Sequence, residues 1–167
     1  MIKIIDDFFD KDVLNEVQKH ITTKIVYTPS WFDGIKEKKY FYGERFLLEN
    51  LPELQDLFVK QANNKFKLKI KNLNRNTGID LRNLDEFKPH RDNTIAKINI
   101  LIMLHGPIAL TNGTVFYTED KLDIHVGFRP NRAVLFPSNC VHSPHASNIK
   151  NMRRYTATLF VNDYEDL

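Results

Sequence analysis

From residue 77 onward the chain consists of short apolar, β-branched runs separated by turn residues, and that punctuation limits the folds open to it. Strand signals cover residues 79–84, 96–104, 114–117, 122–128, 133–136 and 155–161. Pro89, Gly106-Pro107, Asn112-Gly113, Pro130-Asn131 and Pro137-Ser138 stand between them. Val, Ile, Phe, Tyr and Thr suit a pleated, packed backbone, whereas Gly, Pro and Asn interrupt it. Many short strands punctuated in this way imply a sandwich, a jelly roll or a barrel.

The first 76 residues follow another pattern. Asp10 is placed to cap a helix over 11–21, in which Val13, Leu14, Val17 and Ile21 share one face. A strand-like segment, 24–28, follows and stops at Pro29. Asn50-Leu51-Pro52-Glu53 then reads as a helix start, with Asn50 capping and Glu53 reaching back. Leu54, Leu57, Phe58 and Ala62 give that helix an apolar stripe to about Asn63. Phe66, Leu68 and Ile70 alternate with lysines, as in a strand with one wet face. The lysine row fits either a solvated edge that deters pairing or a strip for an anionic ligand. The aromatic group Trp31, Phe32, Tyr40, Phe41, Tyr42 and Phe46 fits packing against a sheet or a lid over a substrate.

Composition excludes several classes. The chain has 167 residues, which suggests one domain with no linker at which to divide it: supporting helices and a lid over 1–76, and a β core over 77–161. Lys and Arg number 24 against 21 Asp and Glu, a net +3, too mild a balance to favour nucleic acid as a partner. Cys140 is the one cysteine, so neither an internal disulfide framework nor a cysteine-rich zinc site is available. No apolar run approaches the ~18 residues of a membrane span, and the N-terminal residues lack a signal peptide's apolar stretch. The expectation is a soluble, cytoplasmic protein with no membrane partner. Abundant Lys, Asn and Ile suggest an AT-rich genome, that of a bacterium or its virus. Oligomeric state is not indicated.

Chemistry is concentrated in a few positions. His90-Arg91-Asp92 is an H-x-D pair, and on extended backbone residues two apart face the same way. An imidazole and a carboxylate suit Fe(II), Mn(II) or Zn(II). His142, just after the run 133–136, is the candidate third ligand, since a jelly roll can return a later strand beside an earlier one. Two histidines and a carboxylate form a facial triad with open positions, the arrangement of non-heme Fe(II) oxygenases. Arg154 opens the last strand signal with Thr156 on the same face. A guanidinium turned into a barrel is costly unless it meets an anion, and a carboxylate is its natural partner.

These stretches together resemble the Fe(II)- and 2-oxoglutarate-dependent oxygenases, in particular the prolyl-4-hydroxylase-like branch. The resemblance lies in Phe87-Lys88-Pro89-His90-Arg91-Asp92-Asn93, Asn112-Gly113-Thr114-Val115-Phe116-Tyr117, Asn131-Arg132-Ala133-Val134-Leu135-Phe136-Pro137-Ser138, His142-Ser143-Pro144 and Arg154-Tyr155-Thr156. It extends to the Ile-Ile-Asp-Asp-Phe-Phe opening and the two N-terminal helices, and so covers nearly the whole chain. It implies a double-stranded β-helix, a mainly β jelly roll with helices on one outer face. It implies Fe(II) on His90, Asp92 and His142, and 2-oxoglutarate with its distal carboxylate on Arg154 beside Thr156. O₂ is the co-reactant, and ascorbate is an optional accessory reductant.

The same resemblance weighs His142 against His145 and selects His142, five residues after Pro137 of the Phe-Pro-Ser run. Arg154-x-Thr156 fits the pattern where Arg153 would face the other way. His20, His105 and His125 read as structural, and Cys140 as a small apolar residue near the metal. Two family tyrosines are missing. Met103 stands where one is usual, with Asn99 or Lys97 as candidate substitutes for 2-oxoglutarate binding, and the strand before His90 lacks the other. Nucleic-acid demethylases that share the triad carry a second arginine six residues after the first, and that position here is Phe160. The expected activity is hydroxylation of a peptidyl proline, an amino acid or another small molecule. The competing class is a jelly-roll binding module without turnover.

Overall fold

The apolar runs in 98–104 and 133–136 are too continuous for strands with a wet face. In a computed structural model, which describes residues 1–33, 39–83, 89–92, 95–145 and 153–167, both of their faces are buried. The elements are β1 (Lys3–Ile5), α1 (Lys11–Thr23), β2 (Thr28–Asp33), β3 (Lys39–Leu47), α2 (Pro52–Phe66), β4 (Leu68–Leu73), β5 (Gly78–Asn83), β6 (Ile98–His105), β7 (Ala109–Thr118), β8 (Lys121–Phe128), β9 (Arg132–Pro137), β10 (His142–His145) and β11 (Arg153–Asp166). A 3₁₀ turn, Leu48–Asn50, leads into α2.

Eight strands form one sheet in the order β1-β9-β6-β11-β5-β3-β2, with β4 also on β11. β11 is long enough to serve three neighbours. Its residues 153–158 pair with β5, its far half from Val161 pairs with β4, and β6 runs along its other edge. The second sheet is β10-β7-β8.

Alternation along the central strands feeds two cores. Ile98, Ile100, Ile102 and Leu104 of β6 join Ala133 and Leu135 of β9 and Ala157, Leu159 and Val161 of β11 on the outer side of the large sheet. There they meet Val17 and Ile21 of α1 and Leu54, Phe58, Ala62 and Phe66 of α2. Phe58 is fully buried and edge-on to Phe9 at 5.4 Å. Truncating such a ring costs about 3–5 kcal/mol. On the inner side, Met103, Val134 and Phe136 meet Phe116, Val126 and Phe128 of the small sheet. Two facing sheets with helices outside one of them are a mainly β, jelly-roll arrangement.

Asn131 fastens the N-terminal segment to this frame. Its φ of 70° is left-handed, a conformation Asn tolerates better than most residues. Its side chain accepts the Phe9 N–H at 2.8 Å and donates back to the Phe9 carbonyl at 2.8 Å.

Several local expectations shift. Residues 24–27 are not strand, and Pro29 lies inside β2 opposite Glu44. An edge strand can lack an N–H, and β2 ends its sheet. Leu51, not Asn50, occupies the N-cap of α2, with no side-chain cap bond. α2 runs on to Phe66 and stops where Lys67 turns left-handed at φ 58°. Besides the helices, the first 76 residues contribute β1, β2, β3 and β4 to the large sheet. The side chains of Trp31, Phe32, Tyr40, Phe41 and Tyr42 lie outside the described residues, as do Leu84, Phe87, Lys88 and Asn93.

Candidate functional site

His90 and His142 exchange both backbone hydrogen bonds, N–H to carbonyl, at 2.9 Å each. This isolated antiparallel bridge seats the H-x-D segment beside β10. Residues opposed in this way carry their side chains on one face. Asp92, two residues further on, returns to that face. His90 Nε2 lies 3.7 Å from Asp92 Oδ1, and His142 Nε2 lies 3.5 Å from Asp92 Oδ2. One donor atom from each of the three residues falls within 4.8 Å of the others.

The surroundings orient these donors. His142 Nδ1 is 3.0 Å from the Cys140 carbonyl, so the ring donates there and leaves the Nε2 lone pair toward Asp92. Phe136 and Phe116 flank the His142 ring at 5.0 and 6.1 Å. Asn99 donates from Nδ2 to Asp92 Oδ2 at 2.6 Å. His145, three residues after His142, faces the other way and packs its ring 5.2 Å from that of His125. The Cys140 thiol is half-buried, and burial pushes its pKa up.

A cavity opens beside the triad and is walled by β5, β6 and β11. Arg154, Thr156, Thr158 and Phe160 present one face of β11 to it. Arg154 is buried, with its guanidinium 5.6 Å over the Phe128 ring. Gly106, at φ +145°, makes room for this arrangement. A Cβ there would stand 3.1 Å from Phe128 and 3.3 Å from Arg154 Cβ. Arg153 instead faces outward and bonds Glu44 at 2.9 Å.

Two positions weighed for the missing tyrosine have other partners. Asn99 is taken up by Asp92, and Lys97 pairs with Asp163 at 2.6 Å on the surface. Met103 does line the cavity. The sequence reading missed a further group on the same wall: Arg45 of β3, and Asp80 and Arg82 of β5. Buried Asp80 holds Arg45 at 2.8 Å and Arg82 at 3.2 Å. Its trace in the sequence is the alternation of Asp80 and Arg82 with apolar Ile79 and Leu81.

No model of a known protein family matches the chain, and no curated protein matches it. Solved structures do. A prolyl hydroxylase from Trichoplax adhaerens, in complex with a peptide fragment of the hypoxia inducible factor oxygen degradation domain, superposes with a TM-score of 0.63 at 15% identity, over 96% of this chain and 82% of that one. An oxidoreductase of the 2OG-Fe(II) oxygenase family from Burkholderia pseudomallei gives a TM-score of 0.65 at 12% identity, over 98% and 84%. The epimerase SnoN, in complex with Fe3+, alpha ketoglutarate and nogalamycin RO, gives 0.60 at 12% identity, over 99% and 78%.

The fold is that of the 2-oxoglutarate and Fe(II) oxygenases.

Within this oxygenase fold, the residues present fit a metal. Donors bound cis at ~2.1 Å from an ion lie about 3 Å apart, close to the separations around Asp92. Two neutral imidazoles and one carboxylate are the donor set suited to Fe(II).

Proposed function

We propose that this protein is an Fe(II)- and 2-oxoglutarate-dependent dioxygenase that hydroxylates a peptidyl proline or an amino-acid-sized molecule. The observation that carries this reading is the meeting of His90, Asp92 and His142 at the cavity that Arg154 also lines. His90, Asp92 and His142 would hold Fe(II) from one side and leave the cavity side open. Arg154 would pair with the far carboxylate of 2-oxoglutarate, with Thr156 next to it.

Fe(II) and 2-oxoglutarate, when bound, supply the chemistry: O₂, 2-oxoglutarate and a substrate C–H yield succinate, CO₂ and an alcohol. The chain's own part is positioning and exclusion of water. The Cys140 carbonyl fixes the tautomer of His142, and Asn99 fixes the rotation of the Asp92 carboxylate. Phe116, Phe128 and Phe136 keep the inner side apolar, which strengthens charge interactions in the cavity. Among structural neighbours, one is described with a peptide and another with a small molecule, so both substrate kinds suit this architecture.

The test is succinate release by the purified protein with Fe(II), 2-oxoglutarate and O₂, followed by a screen of proline-containing peptides and free amino acids for a gain of one oxygen atom in mass. Wild type should consume 2-oxoglutarate, and His90→Ala/Asp92→Ala should not. A wild type that consumes none, alone or with any candidate, is a binding module and ends the proposal.

A further inference from the structure

Arg82 and Arg154 stand directly opposite each other in the register of β5 against β11. Both line the cavity. Opposed residues on one face of a sheet have Cβ atoms about 4.5–5.5 Å apart, and like charges placed so are destabilising. One step along the same ladder, Asp80 opposes Thr156 on β11 and Arg45 on β3. Asp80 accepts from Arg45 Nη1 on Oδ1 at 2.8 Å and meets Arg82 Nη2 through Oδ2 at 3.2 Å. Arg45 is tied in turn to the Asn76 carbonyl. One buried carboxylate thus sets the direction of two guanidiniums. Met103, across β11 from Asp80, brings only a thioether to the place where the family resemblance implies a hydroxyl donor.

Building on the oxygenase reading above, we propose that Arg82 and Arg154 together form a seat for a carboxylate, a two-arginine cradle held in shape by Asp80 and Arg45. A carboxylate seated between the two facing arginines can take a charge-assisted contact from each. Where that carboxylate is the distal end of 2-oxoglutarate, Arg82 supplies the contact that Met103 cannot make. The seated carboxylate has two chemical sources: the distal end of 2-oxoglutarate, or a small acidic substrate entering beside it.

The experiment uses protein loaded with Zn(II), which is redox-silent, and calorimetric binding of two acids. 2-Oxoglutarate and 2-oxobutyrate share the chelating 2-oxo acid head, but only the first has a distal carboxylate. In a second arm, acetate is titrated into protein already saturated with Zn(II) and 2-oxoglutarate. If the seat takes the distal carboxylate, wild type binds 2-oxoglutarate about 10–100-fold more tightly than 2-oxobutyrate. Arg82→Met then removes most of that difference and leaves 2-oxobutyrate unchanged, while Arg82→Lys keeps part of it. If the seat takes a second acid, Arg82→Met keeps 2-oxoglutarate affinity but loses the acetate heat seen in wild type. Arg82→Met equal to wild type in both arms overturns the cradle. So does wild type that binds the two acids equally and gives no acetate heat, although the oxygenase reading survives that result. Wild type that binds neither acid ends the oxygenase reading, and the cradle falls with it. If Arg82→Met also loses 2-oxobutyrate, its site is not intact, and Arg82→Lys decides by the same comparisons.

Discussion

Replacing Asn99 by Leu separates the metal site from the stability of the chain. Asn99 is fully buried, and its Nδ2 donates to Asp92 Oδ2 at 2.6 Å. Its Oδ1 has no hydrogen-bond partner among the described residues. A hydrogen bond to a charged group contributes about 1.5–3 kcal/mol, and a buried polar atom left unsatisfied costs about 1–3 kcal/mol. Leucine keeps the branched outline and removes both the gain and the penalty, but its two methyls are bulkier than the amide they replace. With the hydrogen-bond terms roughly cancelling, metal-free Asn99→Leu should unfold in urea about 1–3 kcal/mol below wild type, the cost of the added bulk. Metal binding should behave differently, because the Asp92 carboxylate loses the contact that fixes its rotation. Loss of a hydrogen bond that orients a ligand typically weakens metal affinity about 10–100-fold. Zn(II) or Co(II) titration against a competing chelator reads that change. Unchanged metal affinity would refute the positioning role. A large loss of apo stability would refute the energy balance.

Three further outcomes follow from the geometry. His142→Ala should abolish tight metal binding while His145→Ala leaves it near wild type, since His145 packs on His125; the same chelator titration checks both. Asn131→Ala should cost about 2–4 kcal/mol in urea unfolding, because two buried bonds to Phe9 are lost at a left-handed position. The Arg132 guanidinium, bonded to Asp6 at 2.7 and 3.0 Å, holds the Asp6 pKa below the usual carboxylate range. The lowered folded-state pKa means this pair stabilises above the unfolded value near ~3.9 and loses its contribution as pH falls through the folded pKa. Asp6 is partly exposed, so the effect is below about 1 kcal/mol, and Asp6→Asn should flatten the acid limb of a stability–pH curve only below about pH 4.

How much of this was legible in the sequence depended on periodicity. β6 and β9 were recognisable because β-branched and aromatic runs buried on both faces leave a continuous apolar signal. α1 and α2 were recognisable from their stripes. β10 was not, since a four-residue strand containing Pro144 has no period to read. β2 was misplaced because Pro29 reads as a stop, although an edge strand accepts it. Helix capping at Asn50 failed because the preceding turn is 3₁₀, which moves the cap to Leu51. At the site, H-x-D spacing and the parity of Arg154 with Thr156 carried to the structure as geometry. The partner of Asn99 did not, because face parity alone says which side a residue takes and not which neighbour lies there. Arg45, Asp80 and Arg82 escaped for the same reason: their meeting depends on the pairing of β3 with β5, which no local pattern encodes.

The central claim is that His90, Asp92 and His142 hold Fe(II) in a way that lets 2-oxoglutarate bind it. Anaerobic mixing of the protein with Fe(II) and 2-oxoglutarate tests this directly through the weak visible charge-transfer band of such complexes. Wild type should develop the band, saturably in 2-oxoglutarate, and His90→Ala/Asp92→Ala should not. No band in wild type, or the same band in both proteins, would contradict the account.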